Sequence, residues 1–301
     1  MRLAGAAAAL ALAAIVLLCV LAPVYARLVS RTDPFRSNPS GYVAGMPVLA
    51  ENRAGLGLGV TPIGPGWRGP YLLGADALGR DVAARLLYGG RNSLLIAGSA
   101  TLLCLALGLA AGVLAGFRGG AVDATLSAAL DLLWAFPVYL LAISLSIVLI
   151  TEGLRLGPLV IEADSLALPV LILGLVYVPY VARPLRAQVI ALRGQEFVEA
   201  AVAVGGSRLH ILRRHILPLL WPALLGLAPV IAAMTLLTEA ALSVLGIGVQ
   251  PPAASWGTLI GDGQTLIYSR PLVAIAPGLA VVATVLALNV LGESVPAGRR
   301  G

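Results

Sequence analysis

Gln195-Glu196-Phe197-Val198-Glu199-Ala200-Ala201-Val202-Ala203-Val204-Gly205-Gly206-Ser207-Arg208-Leu209-His210-Ile211-Leu212-Arg213-Arg214-His215-Ile216-Leu217-Pro218 reads as helix, glycine break, helix. Residues 199–204 are mostly good helix formers, and Gly205-Gly206 can close that helix with a positive-φ turn. Ser207 is placed to cap a second helix that ends as Pro218 opens a long apolar segment. The expected product is a polar elbow lying on a membrane face. Ala200 and Ala201 are small enough for another protein to approach closely, and Glu199 and the arginines put charge at the rim. On composition alone the stretch also suits a solvated loop whose arginines only set topology.

Outward from the elbow the chain is apolar in both directions. Hydrophobic residues make up 59% and charged residues 11% of 301, and mean hydropathy is +0.96. A soluble chain of this length would form about two domains and carry about 25% charged residues to cover its surface. This one faces something apolar instead. A spanning helix needs about 20 mostly apolar residues, and six segments qualify. They are 3–26, 93–117, 124–150, 165–182, 219–245 and 272–291. The expected fold is therefore an all-α integral membrane protein with six transmembrane helices and the elbow between the fourth and fifth. Asp131 and Glu239 are the charges inside these segments; Pro169, Pro179, Pro222 and Pro229 are tolerated where neighbouring helices resatisfy the backbone.

The first segment could also be a cleaved signal peptide, since Arg2 precedes it and Ala26 is small. Its apolar stretch is longer than the roughly 7–15 residues of a signal core, so a retained helix is expected over 1–26. A lipoprotein site at Cys19 is disfavoured by the bulky Leu17 and Leu18. Residues 27–92 form an elaborated loop. Its part 31–70 holds six prolines and eight glycines and reads as irregular, and 83–88 reads as a short amphipathic helix ahead of the second span. Residues 93–293 make a five-helix core containing the loop 184–217, and 294–301 form a tail. Arginines in the short connections and termini favour a cytoplasmic amino terminus, with only Arg155 and Arg270 opposing. Arg27, Arg85 and Arg91 count against that choice.

Composition also excludes chemistry. All 20 basic residues are arginine. A Walker A loop needs its lysine, so the chain is no P-loop ATPase by itself, and a lysine Schiff base is excluded likewise. Cys19 and Cys104 lie in apolar runs, His210 and His215 in one basic stretch, and no metal-ligand spacing occurs. The net charge of +6 is scattered between apolar runs, which fits membrane topology rather than nucleic acid. No catalytic residue and no metal ligand is expected.

Three motifs carry a resemblance. Glu199-Ala200-Ala201, three residues, Gly205, then Leu217-Pro218 twelve positions later resembles the EAA loop of ABC-importer permeases. His215 and Ile216 before Leu217-Pro218 give a variant similar to the peptide/nickel branch. Leu73-Gly74-Ala75-Asp76-Ala77-Leu78-Gly79-Arg80-Asp81 is similar to a second signature of that branch, with Ala75 in place of threonine. Leu245-Gly246-Ile247-Gly248-Val249-Gln250-Pro251-Pro252 followed by Ser255-Trp256-Gly257 is similar to a third. Their order looks like the C-type subunit of dipeptide and oligopeptide permeases, over residues 73–293.

The resemblance implies a bacterial inner-membrane permease subunit of an ATP-driven importer, with peptides as the expected cargo. It implies a second related permease subunit, two ATPase subunits that hold ATP and Mg, and an extracytoplasmic binding protein. The chain itself would bind no cofactor. Coupling would fall to Glu199, Ala200, Ala201, Gly205, Gly206, Ser207, His215, Leu217 and Pro218. Asp76, Arg80, Asp81, Glu239, Gln250 and Trp256 are candidates for the pathway or its gate, with Trp256 also suited to anchoring at the interface. Asp131 is read as lying near the headgroups, and His210 and His215 as surface groups that do not share a helix face, being five apart. The alternative is a secondary transporter driven by an ion gradient through Asp131 and Glu239. A membrane enzyme is a weaker alternative, since no nucleophile–base pair can be named.

Overall fold

The computed structural model describes residues 2–51, 59–66, 69–156 and 159–294. The expected tail beyond Ser294, with Arg299 and Arg300, lies outside the described residues. Helix α1 (Arg2–Val20) continues through α2 (Ala22–Tyr25) and a π turn (Ala26–Ser30) to Arg31, whose φ of 53° ends the run. The first helical path thus extends a turn past residue 26. The stretch expected to be irregular holds two small antiparallel hairpins, β1 (Tyr42–Val43) with β2 (Met46–Pro47) and β3 (Leu49–Glu51) with β4 (Val60–Pro62). Val48, Tyr71 and Ala75 form a small core beneath them.

Helix α3 (Val82–Arg118) is continuous over 37 residues. The separate amphipathic helix expected at 83–88 is its first turns. Asp81 caps it by accepting from the Ala83 and Ala84 amides at 2.8 and 3.2 Å. Helices α4 (Gly120–Ala135) and α5 (Val138–Glu152) meet at 89°, so the expected third span is broken at Phe136-Pro137. A third hairpin, β5 (Leu154–Leu156) and β6 (Leu159–Ile161), leads to α6 (Ala167–Val176) and α7 (Val178–Arg193). Together α6 and α7 make a span of 27 residues, reaching eleven residues past the expected end at 182. The elbow holds α8 (Glu196–Ala203) and α9 (Arg208–Ile211), and a π turn (Leu212–Ile216) joins α9 to α10 (Leu217–Val244) without a break. Pro218 therefore lies inside a helical run rather than at its start. Helix α11 (Trp256–Gln264) and α12 (Leu272–Ser294) complete the chain. Among the described residues five helical runs are long and apolar enough to span, and the bent α4–α5 pair makes up to six, in keeping with the expected count.

The centre of the bundle is a seam between α3 and α7. A Cβ on Gly108 would lie 2.6 Å from Val181 Cβ, one on Gly112 2.6 Å from the Ala182 carbonyl oxygen, and one on Gly116 2.8 Å from the Arg186 carbonyl oxygen. Glycines four apart share one helix face, and in lipid such faces let backbones meet at van der Waals distance. Arg193 closes the lower end by donating to the Phe117 carbonyl at 3.0 Å, a cation at the α3 C-terminus. The amino end of α1 lies against the end of α12, with Gly5 beside Ser294.

Gly112→Leu should therefore destabilise the protein by about 1–3 kcal/mol through overpacking, read as a lowered unfolding midpoint in detergent. Gly98→Ala, where a Cβ meets nothing within 4 Å, should leave that midpoint unchanged or raise it. Equal midpoints for the two variants would show that the seam is not close-packed.

Candidate functional site

The elbow is built by local chemistry. Helix α8 opens with Glu196 and Glu199 in its first turn, where the macrodipole favours negative charge. It closes with Gly205 at φ +86°; the Gly205 amide donates to the Val202 carbonyl and the Gly206 amide to the Ala201 carbonyl, both at 2.9 Å. This pair is the Schellman closure, and it requires the left-handed residue that glycine supplies. A Cβ on Gly206 would strike the Ala201 carbonyl oxygen at 2.7 Å. Ser207 then caps the next helix, accepting from the His210 amide at 3.3 Å.

Buried Val198, Ile211 and Ile216 tie the elbow into the large apolar core. On its outer side Glu199, Ala200, Phe197, Val202, Val204 and Leu209 are exposed, Val204 by 90%. Ala201 is half-buried against the core, so of the two alanines Ala200 is the one presented outward. Leu217 is half-buried and Pro218 exposed. Between the elbow and α3 an open cleft of about 810 Å³ is lined by Val113, Leu114 and Phe117 of α3 and by Val198, Glu199, Val202 and Leu209 of the elbow. His210 and His215 do come together, with ring centroids 6.0 Å apart. The intervening π turn widens the helix so that residues five apart align, which α-helical spacing forbids.

A second cluster sits at the other end of α3. Asp76 is buried; its Oδ1 accepts from the Leu78 and Arg80 amides at 2.9 and 3.0 Å, and its Oδ2 accepts from Arg80 Nε at 2.7 Å. Arg80 and Arg85 converge on Asp262 of α11 at 3.0 and 3.1 Å. The cap Asp81 also accepts from Ser30 Oγ at 2.6 Å and the Tyr71 amide at 3.0 Å. Tyr71 donates its phenol proton to the Gly79 carbonyl at 2.9 Å, and burial pushes that phenol above its ordinary pKa. One buried charge network thus joins the loop, α3 and α11.

A third cluster surrounds Glu239, which is fully buried. Ser93 Oγ donates to Glu239 Oε2 and Ser243 Oγ to Oε1, each at 2.8 Å. Each hydroxyl is fed in turn by a backbone amide, Trp256 N–H to Ser93 at 3.0 Å and Val249 N–H to Ser243 at 3.2 Å. The carboxyl therefore gathers α3, α10, the turn after α10 and the start of α11. Trp256 is 1% exposed and donates Nε1–H to the Leu86 carbonyl at 3.0 Å. The interfacial-anchor reading of Trp256 is overturned, because a buried indole bonded to backbone has no headgroup to meet. Gln250 bonds the Gly246 and Gly248 carbonyls of its own turn at 3.1 Å. Of the six pathway candidates, five are buried in these networks and Gln250 serves its own turn. They tie the loop, the start of α3, the end of α10 and α11 together.

Residues 108–296 match the family described as the binding-protein-dependent transport system inner membrane component. The chain belongs to this family. A putative peptide transport system permease protein of Brucella suis is 36% identical over 223 residues, 74% of this chain and 71% of that protein. A dipeptide transport system permease protein of Alkalihalophilus pseudofirmus is 32% identical over 280 residues, 91% of this chain and 79% of that one. A glutathione transport system permease protein of Pectobacterium atrosepticum is 34% identical, over 74% and 70%. The fold is similar to that of a chain of the MetNI methionine ABC transporter in an inward-facing conformation, with TM-score 0.54, 20% identity, and coverage of 69% of this chain and 93% of that one. The resemblance read from three motifs is thereby established, and the ion-gradient alternative is not favoured. The chain is a permease subunit of an ABC importer.

Sequence reasoning missed four residues that hold this permease together: Ser30, Tyr71, Arg85 and Asp262. A signal existed for Asp262, the sole acidic residue between Glu239 and Glu293, and for Arg85, which follows Asp81 at helical spacing. Ser30 and Tyr71 carry no such mark. Glu239→Ala should leave two buried hydroxyls without an acceptor, at about 1–3 kcal/mol for each unsatisfied group. Glu239→Gln keeps a carbonyl acceptor and should cost less. Denaturation of the detergent-solubilised protein measures both, and equal losses would refute the relay described for Ser93 and Ser243.

Proposed function

We propose that this permease forms half of a pathway for short peptides and couples to its ATPase partners through the 199–205 elbow. The single observation that carries this reading is the elbow itself: a Schellman-closed helix presenting Glu199, Ala200 and exposed apolar side chains while Val198 roots it in the core. Peptide cargo is supported by the names of relatives at 32–36% identity. A second related permease subunit, two ATPase subunits holding ATP and Mg, and an extracytoplasmic binding protein complete the proposed assembly. The absence of lysine fits a chain whose nucleotide chemistry lies elsewhere.

In this reading the permease crosses the bacterial inner membrane with its amino terminus in the cytoplasm. Residues 27–81 lie outside, 184–217 form the cytoplasmic coupling loop and 294–301 a cytoplasmic tail. Closure of the ATPase pair pushes on α8; the push passes through α7 to α3 along the glycine seam, and from α3 to the outer charge network. Alternating access then follows from rocking one helix bundle against another.

Gly205→Trp and Glu199→Arg should abolish uptake and weaken ATPase association while membrane insertion stays normal. Co-purification of the ATPase subunits with each variant measures this. Undiminished recruitment by Gly205→Trp would remove the elbow from the coupling path.

A further inference from the structure

The break between α4 and α5 carries a feature that coupling does not use. Phe136 and Pro137 are extended, with ψ of 138° and 128°, and the two helices part at 89°. The last carbonyls of α4 and first amides of α5 lose their helical partners there. Non-helical backbone at membrane depth persists only against protein or water.

Depth follows from the seam. Backbone of Ala182 sits between Gly108 and Gly112 of α3, and the apolar run of α3 ends at Phe117. Tyr180 and Arg183 of α7 therefore lie about 10 Å inside that end, at 1.5 Å per residue. At this level Trp134 stacks on Tyr180 with ring centroids 4.6 Å apart, Arg183 Cζ lies 4.3 Å over the Trp134 ring, and Arg183 pairs with Asp131. This pairing draws the Asp131 carboxylate toward Arg183.

This ion pair is open. The Arg183 and Asp131 side chains are 39% and 65% exposed, and Trp134 and Phe136 are 44% and 52% exposed. Exposed charge at such depth is costly against lipid, and intramembrane ionisable residues of transporters face a cavity or pathway. Beside the pair lies a cleft of about 330 Å³ lined by Trp134, Phe136, Pro137, Val138, Pro179 and Tyr180. That volume sits at the low end of ligand pockets, enough for one or two residues of cargo.

We propose that this cleft is a cargo-contacting station of the pathway for zwitterionic peptides. Trp134, Tyr180 and Phe136 receive apolar and aromatic side chains, while Arg183 and Asp131 meet the carboxylate and amine of the passing backbone ends. The inference rests on the peptide-importer reading above.

The test uses Phe136→Cys, with Tyr139→Cys on the next turn as a second variant, in the full importer reconstituted in liposomes with its binding protein. Cys19 and Cys104 are buried, so the unaltered chain supplies the background. A hydrophilic methanethiosulfonate should label either variant, and a mixed peptide digest (tryptone) with ATP should slow labelling at least about threefold. No labelling, or labelling only by membrane-soluble N-ethylmaleimide, would place the cleft against the partner permease or lipid and overturn the proposal. Equal labelling with and without peptides would overturn it too. Peptide-stimulated ATP hydrolysis by the unaltered importer separates the two readings. If it occurs and labelling is not slowed, the station alone falls; if it does not occur, the peptide-importer reading falls first.

Discussion

The backbone-to-backbone approach of α3 and α7 governs the rest of this permease. Lipid tails are as apolar as leucine, so helices in a bilayer are not driven together by water. They associate where surfaces fit, and Gly108, Gly112 and Gly116 give α3 such a fit against α7. Helix α3 runs unbroken over 37 residues, so one element reaches from the charge network to the elbow's level. Softening its contact with α7 would loosen the elbow's end of the bundle from the end that holds the charge network.

The buried polar groups follow one rule: each charge that leaves water arrives with partners. Asp76, Arg80, Arg85 and Asp262 neutralise one another, while Glu239 is met by two hydroxyls that are themselves fed by amides. Helix α11 is held at both ends by these clusters, through Trp256 at its start and Asp262 at its end. These polar ties add to the burial of Trp256 and Leu259 in fixing this helix of nine residues. Buried ion pairs contribute little net stability, yet breaking one is expensive, so such a network specifies an arrangement more than it strengthens it.

Much of this was legible in the chain. Runs such as 272–291 announce helices because hydrophobic length alone satisfies the bilayer, and Gly205-Gly206 marks its own turn since few residues reach positive φ. The break at Phe136-Pro137 was not legible, because an apolar segment reads the same whether straight or folded. The start of α3 was misplaced because Arg85 looks like a loop residue until its partners Asp76 and Asp262 are known. Trp256 misled for a related reason: an indole after a proline-rich turn suits an interface, and only its bond to the Leu86 carbonyl shows it inside. Contacts between residues more than 100 apart leave no local trace.

The π turn at Leu212–Ile216 has a geometric consequence for the elbow. It stores one residue more than an α-helix would use over the same rise. Each residue of an α-helix turns the chain by about 100°, so deleting that surplus would swing α8 and α9 around the axis of α10 by roughly a quarter of a revolution. The wide turn thus sets the compass bearing at which the knuckle leaves the bundle, and Pro218, which has no amide proton to give, sits where such a dislocation is cheapest to keep.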